Sequence, residues 1–277
     1  MPTKSENQLK TGVEFKVSRN YWGLVRELAV ADFKLKYQGS VFGYLWSLMK
    51  PLALFGILYL VFSVLAKFGS NIDHYPQYLL LGVVLWNYFA ESTGNGMRAI
   101  VDKSDLIRKV YFPRIVIMLA SSLSALITLA LNLVVVVIFI ALAGIAPGFI
   151  TLAFLGLIAE LFLLSLGISF FLGALYVRYR DFVYIWEVVL QLLFYASAVI
   201  FPLNMVPAQY HALLLLNPIS QILQDSRDIL VNPTQTITTS EVIHGPLMLV
   251  PYALPVLLAV FGFIYFERVA SRFAEDV

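Results

Sequence analysis

Residues 77–97 read QYLLLGVVLWNYFAESTGNGM. Whether this stretch crosses a membrane decides between five passes and six, and with that the side on which each charged segment lies. Its apolar run, residues 78–90, falls short of the roughly 20 residues that a spanning helix requires. The remainder, Glu91-Ser-Thr-Gly-Asn-Gly96, is polar.

The rest of the chain leaves no doubt about its solvent. Of 277 residues 60% are apolar and 13% charged, against about 45–50% and about 25% in soluble domains. Residues 46–66, 115–143, 150–176, 182–201 and 247–266 each have the length and apolarity of a crossing. The charges then settle the sixth segment. If 77–97 crosses and the N-terminus lies inside, 17 of the 19 Lys and Arg fall on the inner side, and Lys67 and Arg227 are the exceptions. Basic residues accumulate on the cytoplasmic face, and omitting the weak span breaks this partition. The expected fold is therefore all-α and integral to the membrane. It is one domain, 1–277, with six transmembrane helices and both termini cytoplasmic.

Polar residues inside the spans need partners, because exposing them to lipid is costly. Glu91 and Asn95 are expected to face other helices or water. Glu160, near the middle of the fourth span, reads either as a hydrogen-bonded packing residue or as a translocation or gating group. Ser121, Ser122, Ser124, Thr128 and Asn132 suit tight helix packing in the third span.

The segments outside the spans have their own patterns. Residues 1–18 form a polar tail without the apolar core of a signal peptide. Over 19–40, Asn20, Glu27, Lys34 and Gln38 make one polar stripe on a mostly apolar surface interrupted by Asp32 and Lys36. That is an amphipathic interface helix, either an anchor or a docking element, with Glu27, Asp32, Lys34 and Lys36 as docking candidates. Between spans five and six, Pro202, Pro207 and Pro218 divide residues 202–230 into pieces half the length of a crossing. They read as external re-entrant half-helices, since irregular backbone at membrane depth is tolerated inside protein, or as amphipathic helices on the outer surface. Residues 231–246 read as an external loop.

Several chemistries are excluded. There is no cysteine, and His74, His211 and His244 are scattered, so no metal site is expected. The phosphate loop GxxxxGK[ST] is absent, as are HExxH and GxSxG. The chain is expected to be a transporter rather than an enzyme, to carry no cofactor and to bind no nucleic acid. Uphill transport would draw on an ion gradient or a separate ATPase. A membrane-embedded transferase acting on lipid-linked sugars is the alternative from another class, but the clustered acidic or histidine residues it needs are missing.

Five ordered blocks resemble ABC-2-type polysaccharide and polyol-phosphate export permeases. They are ELAVADFKLKY (27–37) with GYLWSLMKPL (43–52), KVYFPR (109–114), YRDF (179–182), LFYASAVIFP (193–202), and NPIS (217–220) with Arg227. Ala198 departs from the proline that many relatives carry, which is expected to straighten the fifth span. The resemblance implies a homodimer in a bacterial cytoplasmic membrane, driven by two cytoplasmic ABC ATPase subunits that hold the ATP and Mg, and moving a lipid-linked glycan such as O-antigen, capsule or teichoic acid. A permease for a small drug or lipid shares the topology. It further implies that 102–112 forms a coupling helix in a groove of the ATPase, through Asp102, Lys103, Ser104, Asp105, Leu106, Ile107, Arg108 and Lys109. Asp102 or Ser104 would cap it, and Leu106, Ile107 and Val110 would give apolar contacts; a solvated loop that only fixes topology is the alternative. Asn217, Pro218, Asp225, Arg227 and Asp228 would form an external gate. Because aromatic rings accept the C–H faces of sugars, Trp46, Tyr59, Phe62, Tyr195 and Phe201 are candidates for the translocation path.

Overall fold

The computed structural model describes residues 21–67, 72–109, 112–146, 148–231 and 235–270; the polar tail and residues 110–111 of the expected coupling helix lie outside them. Regular structure among the described residues is entirely helical. In chain order the helices are α1 (Tyr21–Tyr37), α2 (Leu45–Leu58), α3 (Tyr75–Asp102), α4 (Ser104–Lys109), α5 (Ile115–Leu142), α6 (Ala153–Arg178), α7 (Phe182–Ala196), α8 (His211–Leu215), α9 (Pro218–Leu230), α10 (Thr239–Val242) and α11 (Leu249–Ala270). A π-helical stretch, Tyr59–Leu65, continues α2.

Four continuous helical segments are long and apolar enough to cross a membrane: Leu45–Leu65, Ile115–Leu142, Phe149–Arg178 and Gly245–Ala270. They coincide with expected spans one, three, four and six. The other two differ, each for a physical reason.

Helix α3 has 28 residues, about 42 Å at the usual rise, so length does not disqualify it. Composition does. Its position explains why: 18 of its residues are buried, and it packs chiefly between α5 and α6. Leu79, Leu80, Leu81 and Val83 are fully enclosed. By contrast, only 6% of the most apolar window of Leu45–Leu65 is buried. A helix walled by other helices has little lipid contact to satisfy, and its polar residues can be met by protein partners.

Helix α7 is 15 residues long and stops at Ala196, where the sequence had suggested a span to residue 201. Ala198 takes φ +50°, so the chain turns instead of straightening there. The carbonyls of Ala198 and Val199 accept hydrogen bonds from Arg227, which holds this segment away from the helix path. Ala198, Val199 and Leu203 are nonetheless buried; the irregular backbone is enclosed in protein.

Helices α6 and α11 make the most extensive packing pair. They meet backbone to backbone: a Cβ on Gly262 would collide with the Gly167 carbonyl, and one on Gly167 would lie 2.5 Å from Ala259 N. Helix α1 lies along α5, burying Val25 and Ala29 against Val116 and Ala120 while Trp22 and Leu35 stay exposed.

Candidate functional site

One end of the bundle is built around Lys103. It ends α3 with φ −108° and ψ 21°, and its carbonyl accepts from the N–H groups of Leu106 and Ile107 to start α4. Asp102 thus closes α3 rather than opening the short helix, and α4 begins two residues later than expected. Asp105 in its first turn and Arg108 and Lys109 in its last match the helix dipole at both ends. Asp105, Arg108 and Lys109 are exposed, and Leu106 is half-buried. Ile107 turns inward onto the cluster of Ile100, Ile117 and Phe266, so its apolar contact is with its own chain.

Lys103 pairs with Asp32 of α1, and Lys36 donates to Glu91 of α3 at 2.6 Å. The two charges that interrupted the apolar surface of α1 are therefore those that tie it to α3. Glu27 and Lys34 are exposed. Thr128 also donates to Glu91, at 3.3 Å, and Arg98 reaches Glu187 of α7 at 3.2 Å. Asn95 lines a cavity of about 370 Å³ beside Asp32, Asp102 and Lys103. Glu91 and Arg98 in the polar half of α3 thus have charged or hydroxyl partners, while Asn95 is exposed.

The other end is built on α9. Asn217 caps it by accepting from Ile219 N at 3.0 Å, with Pro218 in the first turn, and donates to the Ser197 hydroxyl at 2.9 Å. Arg227 is fully enclosed. It donates to the carbonyls of Tyr78, Ala198 and Val199 and to the Tyr78 hydroxyl, at 2.6–3.2 Å, and lies over the Tyr78 ring. Gly82 leaves room for it, since a Cβ there would strike the guanidinium. Asp225 accepts from the Tyr252 hydroxyl of α11 at 2.6 Å, from Gln221 at 3.0 Å, and from Thr239 of α10. Gln221 also donates to Glu160 of α6 at 3.4 Å, which favours the packing reading of that carboxylate. Burial pushes the Asp228 carboxyl above the usual carboxylate range, helped by Glu241 and Asp225. Residues 235–246, expected to be a loop, include α10 with its own capping box of Thr238 and Glu241.

The chain matches the ABC-2 type transporter family over residues 24–231. It belongs to that family. Among curated proteins, this ABC-2 chain is similar to the O-antigen export system permease protein RfbA of Klebsiella pneumoniae, 26% identical over 88% of this chain and 91% of that protein. It is 28% identical to the RfbA permease of Myxococcus xanthus, over 73% and 78%. The polysialic acid transport protein KpsM of Escherichia coli is 25% identical, over 74% and 80%. As an ABC-2 transporter subunit with four long apolar helices, it is a multi-pass membrane protein.

The aromatic candidates of this ABC-2 chain differ in their surroundings. Trp46 is exposed at the start of α2 and Tyr195 on α7. Tyr59 and Phe62 lean on the central core; Phe201 packs on the cluster of Ala198, Leu203 and Leu215. Two features escaped sequence reasoning: the enclosure of Arg227 and the Lys103–Asp32 tie. A signal for the first was present. Arg227 is one of only two basic residues that the charge partition leaves off the inner side, in a segment otherwise read as membrane-embedded.

Proposed function

We propose that this chain is the permease subunit of an ABC exporter that carries a lipid-linked polysaccharide, of the O-antigen, capsule or teichoic acid kind, across the bacterial inner membrane. One observation carries the reading: the likeness to proteins named as O-antigen export permeases runs along 88% of the chain, and a protein named for polysialic acid transport matches as well. In this reading α3 and α7, with its turn, complete six crossings with both termini inside. Two copies form the pore, and two ABC ATPase subunits bind ATP and Mg beneath it.

The inner end has the features such a machine requires. Helix α4 presents Asp105, Arg108 and Lys109 outward while Ile107 roots it in the bundle. A push on α4 passes through Lys103 to Asp32 of α1 and along α3 into the centre of the fold. At the outer end α9 is a re-entrant half-helix. Arg227 fixes it to α3 and to the turn after α7, and Asp225 fixes it to α10 and α11. Of the gate candidates, Asn217, Pro218 and Arg227 then brace the seal from within, and Asp225 and Asp228 lie nearer its surface.

The test is charge reversal of the exposed pair. Co-expressed with its ATPase, the Arg108→Glu, Lys109→Glu double variant inserts normally but loses most of the copurifying ATPase. Recovery of the ATPase at the wild-type level would place docking elsewhere.

A further inference from the structure

A cavity of about 180 Å³ lies between α1, α2, α3 and α5, and the transport reading makes no use of it. Lys36, Trp46 and Lys50 stand exposed at its mouth. Inside, most polar groups are already satisfied. Lys36 is held by Glu91, and the Asn132 amide donates to the carbonyls of Ser47 and Thr128. Three groups are left over, one of them the buried Tyr88 hydroxyl. Lys50 has no acidic side chain within ion-pair distance among the described residues. The amide nitrogen of Asn87, one turn before Glu91 on α3, is buried with no acceptor. An unspent buried donor is unfavourable, and beside a surplus cation it calls for an acceptor-rich anion.

Size and depth narrow the choice. The volume is below the roughly 300–1,000 Å³ of pockets that take drug-sized ligands, so it suits a headgroup and not an oligosaccharide. The mouth lies where α1 meets α2, and an amphipathic helix such as α1 sets that junction at the level of lipid headgroups. Exposed Trp and Lys side chains are at home there.

We propose that this cavity binds the phosphate of a membrane lipid, whose oxygens accept from the Asn87 amide and the Lys50 ammonium while Trp46 lies against the start of the lipid chain. Two sources share that chemistry: an anionic phospholipid of the bilayer, or the diphosphate of a polyprenyl carrier. The second rests on the exporter reading and deepens it, because it makes this cavity a waiting place for the carrier end of the cargo.

The experiment titrates the purified full chain, in neutral detergent, with phosphatidylglycerol, a polyprenyl diphosphate and diacylglycerol, and reads lipid retention by native mass spectrometry. Both phosphate lipids are retained and diacylglycerol is not. Lys50→Gln, at an exposed site that does not disturb folding, weakens retention about tenfold, the scale of one lost hydrogen bond to a charged group. Lys50→Arg keeps most of it, and Asn87→Asp loses it by placing a carboxylate against the phosphate. Preference for the polyprenyl diphosphate identifies the carrier as occupant, and equal retention identifies bulk lipid. Phosphate lipids held no better than diacylglycerol, or held equally by Lys50→Gln and Asn87→Asp, overturn the proposal. The ATPase is absent from this assay, so that failure leaves the exporter reading standing, whereas failure of ATPase copurification leaves lipid binding untouched.

Discussion

Three backbone carbonyls from two distant segments converge on the Arg227 guanidinium. Removing it would leave the Ala198 and Val199 carbonyls, which lie outside any helix, buried without that donor, at about 1–3 kcal/mol apiece. Arg227→Met is therefore expected to cost about 2 kcal/mol or more, read as a lower thermal midpoint of the purified protein by tryptophan fluorescence. Arg227→Lys recovers only part, since an ammonium cannot span the same fork of acceptors. An unchanged midpoint in the Met variant would show that the cluster is not what holds α9. The Lys103–Asp32 pair is a smaller matter energetically. Both side chains are partly exposed, and such pairs contribute about 0.2–1 kcal/mol. In the proposed exporter its value lies in transmission: Asp32→Lys should lower ATP hydrolysis of the complex with the ATPase, and the exchange Asp32→Lys with Lys103→Asp should restore most of it. An exchange variant as poor as the single one would detach the pair from coupling.

At the scale of helices, the α6–α11 crossing depends on two residues without side chains. Gly262→Ala forces its Cβ into the Gly167 carbonyl, and overpacking of this kind typically costs about 1–3 kcal/mol. The expected result is a lower thermal midpoint with normal membrane insertion; an unaffected midpoint would mean the helices part freely. The same scale shows what the sequence can and cannot reveal. Spans one, three, four and six are legible from hydropathy alone because each is long and apolar throughout. Helix α3 is not, because its neighbours are helices, and only the distribution of Lys and Arg argues for it as a crossing. The end of α7 at Ala196 was hidden for another reason. The turn is held by an arginine 28 and 29 positions further along, and no local pattern records such a partner. Helix α4 carries its charges where a short helix wants them, which made it readable, but the inward turn of Ile107 depends on Phe266 and Ile117 far away in sequence.

For the molecule as a whole, the two ends of the bundle differ in kind. Ion pairs Lys36–Glu91, Arg98–Glu187 and Lys103–Asp32 gather at one end. At the other, Gln235 accepts from the Asp73 backbone N–H, and α9, α10 and α11 are joined through Asp225. Long apolar faces stay uncovered between them, with Ile57, Leu60 and Val64 on the first span and Tyr184, Val188 and Leu192 on α7, as suits contact with lipid or a second copy. The central claim is that α3 truly crosses, so that α4 meets the cytoplasm and α10 the outside. The chain has no cysteine, which permits a direct measurement. Single cysteines are placed at the exposed positions Asp105 and Ser240 and labelled in intact cells with a membrane-impermeant maleimide. The account predicts that Ser240→Cys is labelled from outside and that Asp105→Cys is labelled only after the membrane is opened. Labelling of Asp105→Cys in intact cells, or of both positions from the same side, would contradict it.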